Sequence, residues 1–250
     1  MRALLAILFL VMTPHSWAAS AEDAPLDKVY INLSERGSLQ RGARLFVNYC
    51  LSCHSAAYMR YNRLSTDLGI SKELVEENLL FAGDKIGDLM ITAMPKDAAK
   101  KWFGVVPPDL TVIARARKPD WIYTYLRSFY LDESTPSGWN NTLFPNVAMP
   151  HVFYELQGVQ RLKKHAEGGV PTEDHHGQAS GSDRFELVKA GALTPVEFDE
   201  AVRDLTNFLV YMGEPAKLER YNIGVFVILF LLALTVLLYF LKKEYWKDVH

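Results

Sequence analysis

Cys50-Leu51-Ser52-Cys53-His54 decides how the rest of this 250-residue chain is read, and it holds the only two cysteines. The spacing C-x-x-C-H is the attachment pattern of a c-type haem. Two thiols separated by two residues can reach the two vinyl groups of one porphyrin, and the adjacent imidazole is then close enough to bind the iron from one side. Other uses of paired cysteines fit less well. A thioredoxin-like redox pair expects a buried strand ahead of it in a βαβ setting. Here Gly42, Leu45, Phe46 and Tyr49 recur at spacings of three and four, which predicts a helix over the upstream run. A structural zinc site needs four ligands, and no further cysteine exists. A disulfide closing so short a loop would be strained. Cys50 and Cys53 are therefore expected to anchor one haem c, with His54 on its iron.

The two ends of the chain speak to location. Arg2, the apolar run Ala3 to Met12 and the small residues Ala18, Ala19 and Ala21 have the form of a secretory signal peptide over 1–21. Either Ser16-Trp17-Ala18 or Ala19-Ser20-Ala21 fits the small-x-small cleavage rule. Pro14 and His15 break the run early, which argues against an uncleaved anchor. At the other end, Ile223 to Leu241 carries no charge, and its 19 residues would extend about 28 Å as a helix, close to the hydrocarbon thickness. We expect a transmembrane helix over 223–241, entered by a linker at 215–222 and followed by a cytoplasmic tail at 242–250. Lys242, Lys243 and Lys247 supply the basic flank, and Tyr239, Tyr245 and Trp246 the aromatic belt. Lys217 and Arg220 vote the other way, but an exported N-terminus puts the domain at 22–214 outside the cytoplasm. In a Gram-negative type of cell that domain lies in the periplasm, held to the inner membrane by a single pass, where free thiols are scarce unless used. With 49% hydrophobic residues and a net charge of -2, nothing marks a nucleic-acid surface.

Within the domain, periodicity and caps predict helices over Gly37 to Tyr49, over Ser71 to Phe81 with Ser71 as cap and Leu74, Val75 and Leu79 inward, and a short turn at Lys96 to Trp102. Asp109 is expected to cap Leu110 to Arg115, and Asp120 to cap Trp121 to Tyr130. Asp132 to Asn146 reads as a loop. Val152, Tyr154 and Leu156 alternate, as do Phe185 and Leu187, which predicts a hairpin flanking a polar, mobile insertion over 163–183. Thr194-Pro195 opens a last helix that carries Phe198, Val202, Leu205 and Leu209 on one face and ends at Gly213.

The second axial ligand is less determined. Met149 and Met94 each precede proline, which holds a methionine extended and can present its sulfur from a loop. Met149 is modestly favoured, since it follows a long loop, whereas Met94 sits beside a helical stretch. Met59, Met90 and Met212 read as core filler. His165, His175 and His176 fall in the polar insertion and read as solvated, and His151 is a weaker candidate than the methionines.

Taken in order, Arg41-Gly42, the motif through Ser55, Tyr58, Tyr61-Asn62-Arg63-Leu64, Pro107-Pro108-Asp109-Leu110, Arg115-Ala116-Arg117, Ala148-Met149-Pro150 and Gly213-Glu214-Pro215 resemble the cytochrome c1 family. That family is the haem subunit of the ubiquinol:cytochrome c oxidoreductase (cytochrome bc1) complex. The resemblance implies a mainly α, class I cytochrome c-like haem domain with loop and small β-hairpin insertions, plus one C-terminal transmembrane helix. It implies Met149 as sixth ligand opposite His54, and Arg117 at a haem propionate, where a guanidinium can form a planar two-bond pair. It also implies partners: cytochrome b, a Rieske iron-sulfur protein, a soluble or membrane-bound c-type cytochrome as acceptor, and a dimeric complex. The chain would then be no enzyme on its own but an electron relay. Trp121 stands where mitochondrial members carry tyrosine, and Lys100 to Val106 departs from their pattern. Leu64 to Met90 holds six acidic residues against two lysines, a face that would steer a basic partner or simply be solvated. The other assignments are a free-standing or oxidase-associated anchored cytochrome c, and an anchored thiol-disulfide oxidoreductase.

Overall fold

The computed structural model describes residues 26–163 and 184–248. The expected signal segment 1–21, and the insertion from 164 to 183 with its three histidines, lie outside the described residues.

Two helices crossing at a glycine organise the domain. Helix α1 (Arg36–Leu45) packs against a later helix, Pro195–Gly213, that closes the domain. A Cβ placed on Gly42 would lie 2.1 Å from the Asp204 carbonyl oxygen and 2.6 Å from the Phe208 Cβ, so the two backbones meet with no room for a side chain. Leu39, Ala43 and Phe46 from one side meet Val202, Leu205 and Phe208 from the other, and all six are buried. Polar groups lock the crossing. Arg41 Nε donates to Asp204 Oδ2 at 2.5 Å and Arg203 Nη2 to Asp204 Oδ1 at 3.2 Å. Asn207 bridges the Asn32 carbonyl and the Ser38 hydroxyl. A buried carboxylate would be costly without such partners.

Between these helices the chain forms, in order, β1 (Ala56–Arg60), α2 (Asn62–Thr66), α3 (Lys72–Asn78), β2 (Leu89–Met90), α4 (Lys96–Phe103), α5 (Ile113–Arg117), α6 (Pro119–Arg127), β3 (Phe129–Leu131), β4 (Trp139–Asn141), α7 (Tyr154–Gln157), β5 (Gly158–Leu162) and β6 (Phe185–Ala190). The closing helix is α8, and α9 spans Lys217–Tyr245. The strands make three separate antiparallel pairs, β1 with β2, β3 with β4 and β5 with β6. The fold is mainly helical with small β insertions, as the sequence implied.

Several local expectations hold. Ser71 Oγ accepts from the Leu74 amide, and Thr194 with Glu197 completes a reciprocal capping box at the start of α8. Met59, Met90 and Met212 are core residues. Others are corrected. Leu74 points outward, 52% exposed, while Val75 and Leu79 are buried. Asp109 caps no helix, because α5 starts only at Ile113; its carboxylate accepts from the Thr111 and Ala57 amides instead. Asp120 lies inside α6, which starts at Pro119, and receives Lys28 Nζ and the Val29 amide. That helix stops at Arg127, since Phe129–Leu131 pairs as a strand. The expected loop 132–146 contains β4. Residues 154–157 form a helical turn, so the hairpin's first strand is displaced to Gly158–Leu162. Residues 217–222, expected as linker, are already helical. In α9 the segment Glu219–Tyr245 is long and apolar enough to cross a membrane: an 18-residue stretch of it has a mean hydropathy of 2.9, with none of that stretch buried.

Candidate haem site

The helix that carries the motif changes pitch before reaching it. Phe46–Cys50 is a π-helical turn in which the Leu51 amide donates to the Phe46 carbonyl at 3.0 Å. Such turns are rare and recur at functional sites because they re-aim the residues that follow. Both the Cys53 and the His54 amides then return to the Cys50 carbonyl, at 3.1 and 2.8 Å, folding the motif into a compact loop. Thr92 ties that loop down: its hydroxyl donates to the Ser52 carbonyl and its amide to Ser55 Oγ.

The segment Pro107 to Thr111 is laid against the motif. The Leu110 amide donates to the Ser55 carbonyl at 2.8 Å, and Asp109 accepts from Ala57 at 2.7 Å. This places the Pro108 carbonyl 2.7 Å from His54 Nδ1. A carbonyl only accepts, so Nδ1 carries the hydrogen and Nε2 keeps its lone pair free for a metal. Burial holds the imidazole below its ordinary value, with the Pro108 carbonyl pulling the other way. Burial pushes the Cys50 thiol up to about 12, helped by the neighbouring Cys53. A free Cys50 thiol so placed would be a weak nucleophile at neutral pH.

Beside the motif lies a cavity of ≈ 350 Å³ that Cys50, His54, Arg117 and Met149 all line. Leu205 and Leu209 of α8 form its inner wall, and Pro108, Leu110, Ile113 and Phe144 continue it. The outer wall is one face of the α5–α6 pair. Arg117 lies over the Trp121 ring at 5.0 Å, Trp121 stacks on Tyr125 at 4.9 Å and 11°, and the Tyr125 hydroxyl donates to Met149 Sδ at 3.5 Å. Burial raises the Tyr125 phenol well above its ordinary value. The loop that delivers Met149 is shaped by two buried asparagines. Asn141 Oδ1 accepts from the Leu143 and Phe144 amides, and Asn140 Oδ1 from Asn146.

Four of the five expected site residues thus meet in one cavity. Cys53 lies beside it, half-buried and outside its lining. Met94 does not line it. His151 is buried away from it, stacked on Phe129 at 5.1 Å and 6° with Trp139 edge-on, and burial pushes it down to about 4. Sequence reasoning missed the Pro108 carbonyl, Tyr125 and Phe144. The spacing of Arg117, Trp121 and Tyr125 by fours was the available signal for the outer wall. The donor set fits haem: two thiols, an imidazole with a free Nε2, a thioether, a guanidinium and otherwise apolar walls. Among the described residues no three His, Cys, Asp or Glu side chains converge as a zinc site requires.

A helical domain closing such donors around an apolar cavity defines a haem protein of the c-type cytochrome class. The Cytochrome C1 family matches residues 28–161 and 184–249. Cytochrome c1 of Allochromatium vinosum is 53% identical over 253 residues, spanning 100% of both chains. The ammonia monooxygenase gamma subunit of Nitrosomonas europaea is 48% identical over 247 residues, 99% of this chain and 97% of that one. A chain of the solved hyperthermophilic respiratory Complex III aligns with 100% of this chain and 95% of its own length, at 16% identity and a TM-score of 0.39, too loose a likeness to argue from. The chain belongs to the cytochrome c1 family, the haem-bearing electron-transfer subunit of respiratory bc1 complexes.

Proposed function

We propose that one haem c is held through thioethers to Cys50 and Cys53, with His54 Nε2 and Met149 Sδ on its two faces and Arg117 at a propionate. In this reading the chain relays single electrons from a Rieske iron-sulfur protein to a soluble or membrane-bound c-type cytochrome. It works beside cytochrome b in a dimeric complex and breaks no bond itself. The observation that carries the reading is the convergence of Cys50, His54 and Met149 on one cavity. The haem, when bound, supplies a one-electron Fe(III)/Fe(II) couple. The protein's part is to fix the imidazole tautomer through Pro108, to exclude water with Leu205, Leu209 and Ile113, and to bring a thioether to the open side. Residues 223–241 then anchor the haem domain to the inner membrane from the periplasm after loss of residues 1–21, leaving 242–250 in the cytoplasm. The exposed Glu73, Glu76 and Glu77 of α3 add negative charge that would attract a basic acceptor.

Substituting the two candidate methionines separates them. Met149→Leu should leave the iron open to carbon monoxide and lower its potential sharply, while Met94→Leu changes neither. The reverse result would overturn the axial assignment.

The 48% identity to an ammonia monooxygenase gamma subunit favours one second reading, the same haem site in a different membrane assembly. Purification in mild detergent distinguishes them. The first reading requires co-isolation with a dihaem cytochrome b and a Rieske protein.

A further inference from the structure

Just downstream of Met149, both ring nitrogens of His151 and Oε1 of Gln157 are buried without a hydrogen-bond partner. We propose that His151 is a positioning residue for that methionine: its ring, locked between Phe129 and Trp139 and bridged to Gln157 through one internal water, keeps the loop from lifting the sulfur off the haem. This rests on Met149 being the axial ligand.

Downstream of Met149 the first buried side chain is His151, 2% exposed. Its ring lies flat on Phe129 at 5.1 Å and 6° and meets Trp139 edge-on at 5.1 Å and 73°. Phe129 and Trp139 belong to the β3–β4 pair, so the ring is fixed to an element outside the loop. Only Pro150 separates it from Met149. Proline locks its own φ and confines the preceding residue to an extended backbone, so an anchor at 151 is transmitted to 149 with little slack. Upstream, Asn140 and Asn141 already shape the loop. His151 supplies the matching hold on the other side.

Gln157 is itself held from its other end, where Nε2 donates to the carbonyl of Arg127, the last residue of α6, at 3.2 Å. Its side chain lies beside the imidazole, where it partly offsets the burial that disfavours a charged ring. A neutral imidazole has one N–H and one lone pair, and a carboxamide oxygen only accepts. A water between them takes the ring hydrogen and gives one of its own to Oε1, leaving only a ring lone pair unmet. Buried polar groups are nearly always paired, and the water supplies that pairing. Helix α6 also carries Trp121 and Tyr125 of the cavity lining, so the bridge ties the sulfur-bearing loop to the helix that forms the outer wall.

The test reads how often the sulfur leaves. Imidazole added to the oxidised, detergent-solubilised, haem-loaded full chain reaches the iron only when the methionine is off it, so the binding rate at saturating imidazole reports loop opening. His151→Phe keeps the stacked ring and removes the bridge; Gln157→Leu removes the bridge from the other end. Loss of one hydrogen bond of ordinary strength predicts that each variant raises the rate about fivefold. Because both break the same bridge, the double variant should also gain only about fivefold, a non-additivity that two unrelated losses of packing would not give. An unchanged rate in either single variant, or two effects that multiply, overturns the proposal. If His151→Phe loads haem poorly, Gln157→Leu alone decides. Failure of the axial reading shows separately: Met149→Leu would then leave imidazole binding as slow as in the native chain.

Discussion

At the scale of single residues, the α1–α8 crossing closes because small groups stand where larger ones would not fit. Gly42 is the sharpest case, since a methyl there would sit 2.1 Å from a backbone oxygen that cannot rotate away. Gly42→Ala must push α1 and α8 apart, and overpacking of this kind costs typically about 1–3 kcal/mol. The thermal midpoint of the haem-loaded protein should fall by several degrees, and an unchanged midpoint would mean that the crossing is looser than its geometry. Much of the site at this scale was legible in the sequence. Cys50, Cys53 and His54 are named by their spacing, whereas a following proline marks Met149 and Met94 alike and only the family resemblance implies Met149. Tyr125 was not legible, because its role depends on a contact between a helix and a loop 24 positions apart. Nor was the Pro108 carbonyl, a backbone atom whose aim depends on the Asp109 clamp.

At the scale of elements, caps were more reliable guides than alternation. Thr194-Pro195 announced α8, and the capping box is present. Hydrogen bonds, first from the Thr194 amide and then from its hydroxyl, hold the Glu197 carboxyl below the ordinary carboxylate range. A depressed value contributes stability that is present above the unfolded value and is lost as pH falls through the folded one. The stability gap between the native chain and Glu197→Ala should therefore be largest near neutrality and shrink in acid, as read by denaturant titration. A gap independent of pH would contradict this account of the cap. Alternation misled at Val152, Tyr154 and Leu156, because the fully buried residues of this stretch are His151 and Phe153, while Tyr154 and Glu155 are both exposed. His151 packs on Phe129 and Trp139, and Phe153 on Tyr49 and Phe198. The chain consequently turns as α7, and the strand begins at Gly158, whose φ of 95° a side chain would disfavour. The Asp109 and Asp120 caps failed for a related reason: both carboxylates serve amides from distant segments, Ala57 and Val29, which no local pattern reveals.

At the scale of the whole molecule, the chain joins a helical domain, closed by α1 and α8, to a single apolar helix through three residues, Glu214 to Ala216. In the proposed function, so short a connection would hold the haem domain close to the membrane that α9 crosses. The family follows from the sequence matches, and the cavity gives that membership a chemical meaning in the Cys50 thiol, the imidazole and the thioether that meet there. The central claim is that a porphyrin is bonded to both cysteines. Its most direct test is mass spectrometry of the purified mature chain after acid-acetone extraction. The account predicts one haem retained, localised to the peptide containing Cys50 to His54. Two unmodified thiols at Cys50 and Cys53, both open to alkylation, would contradict it.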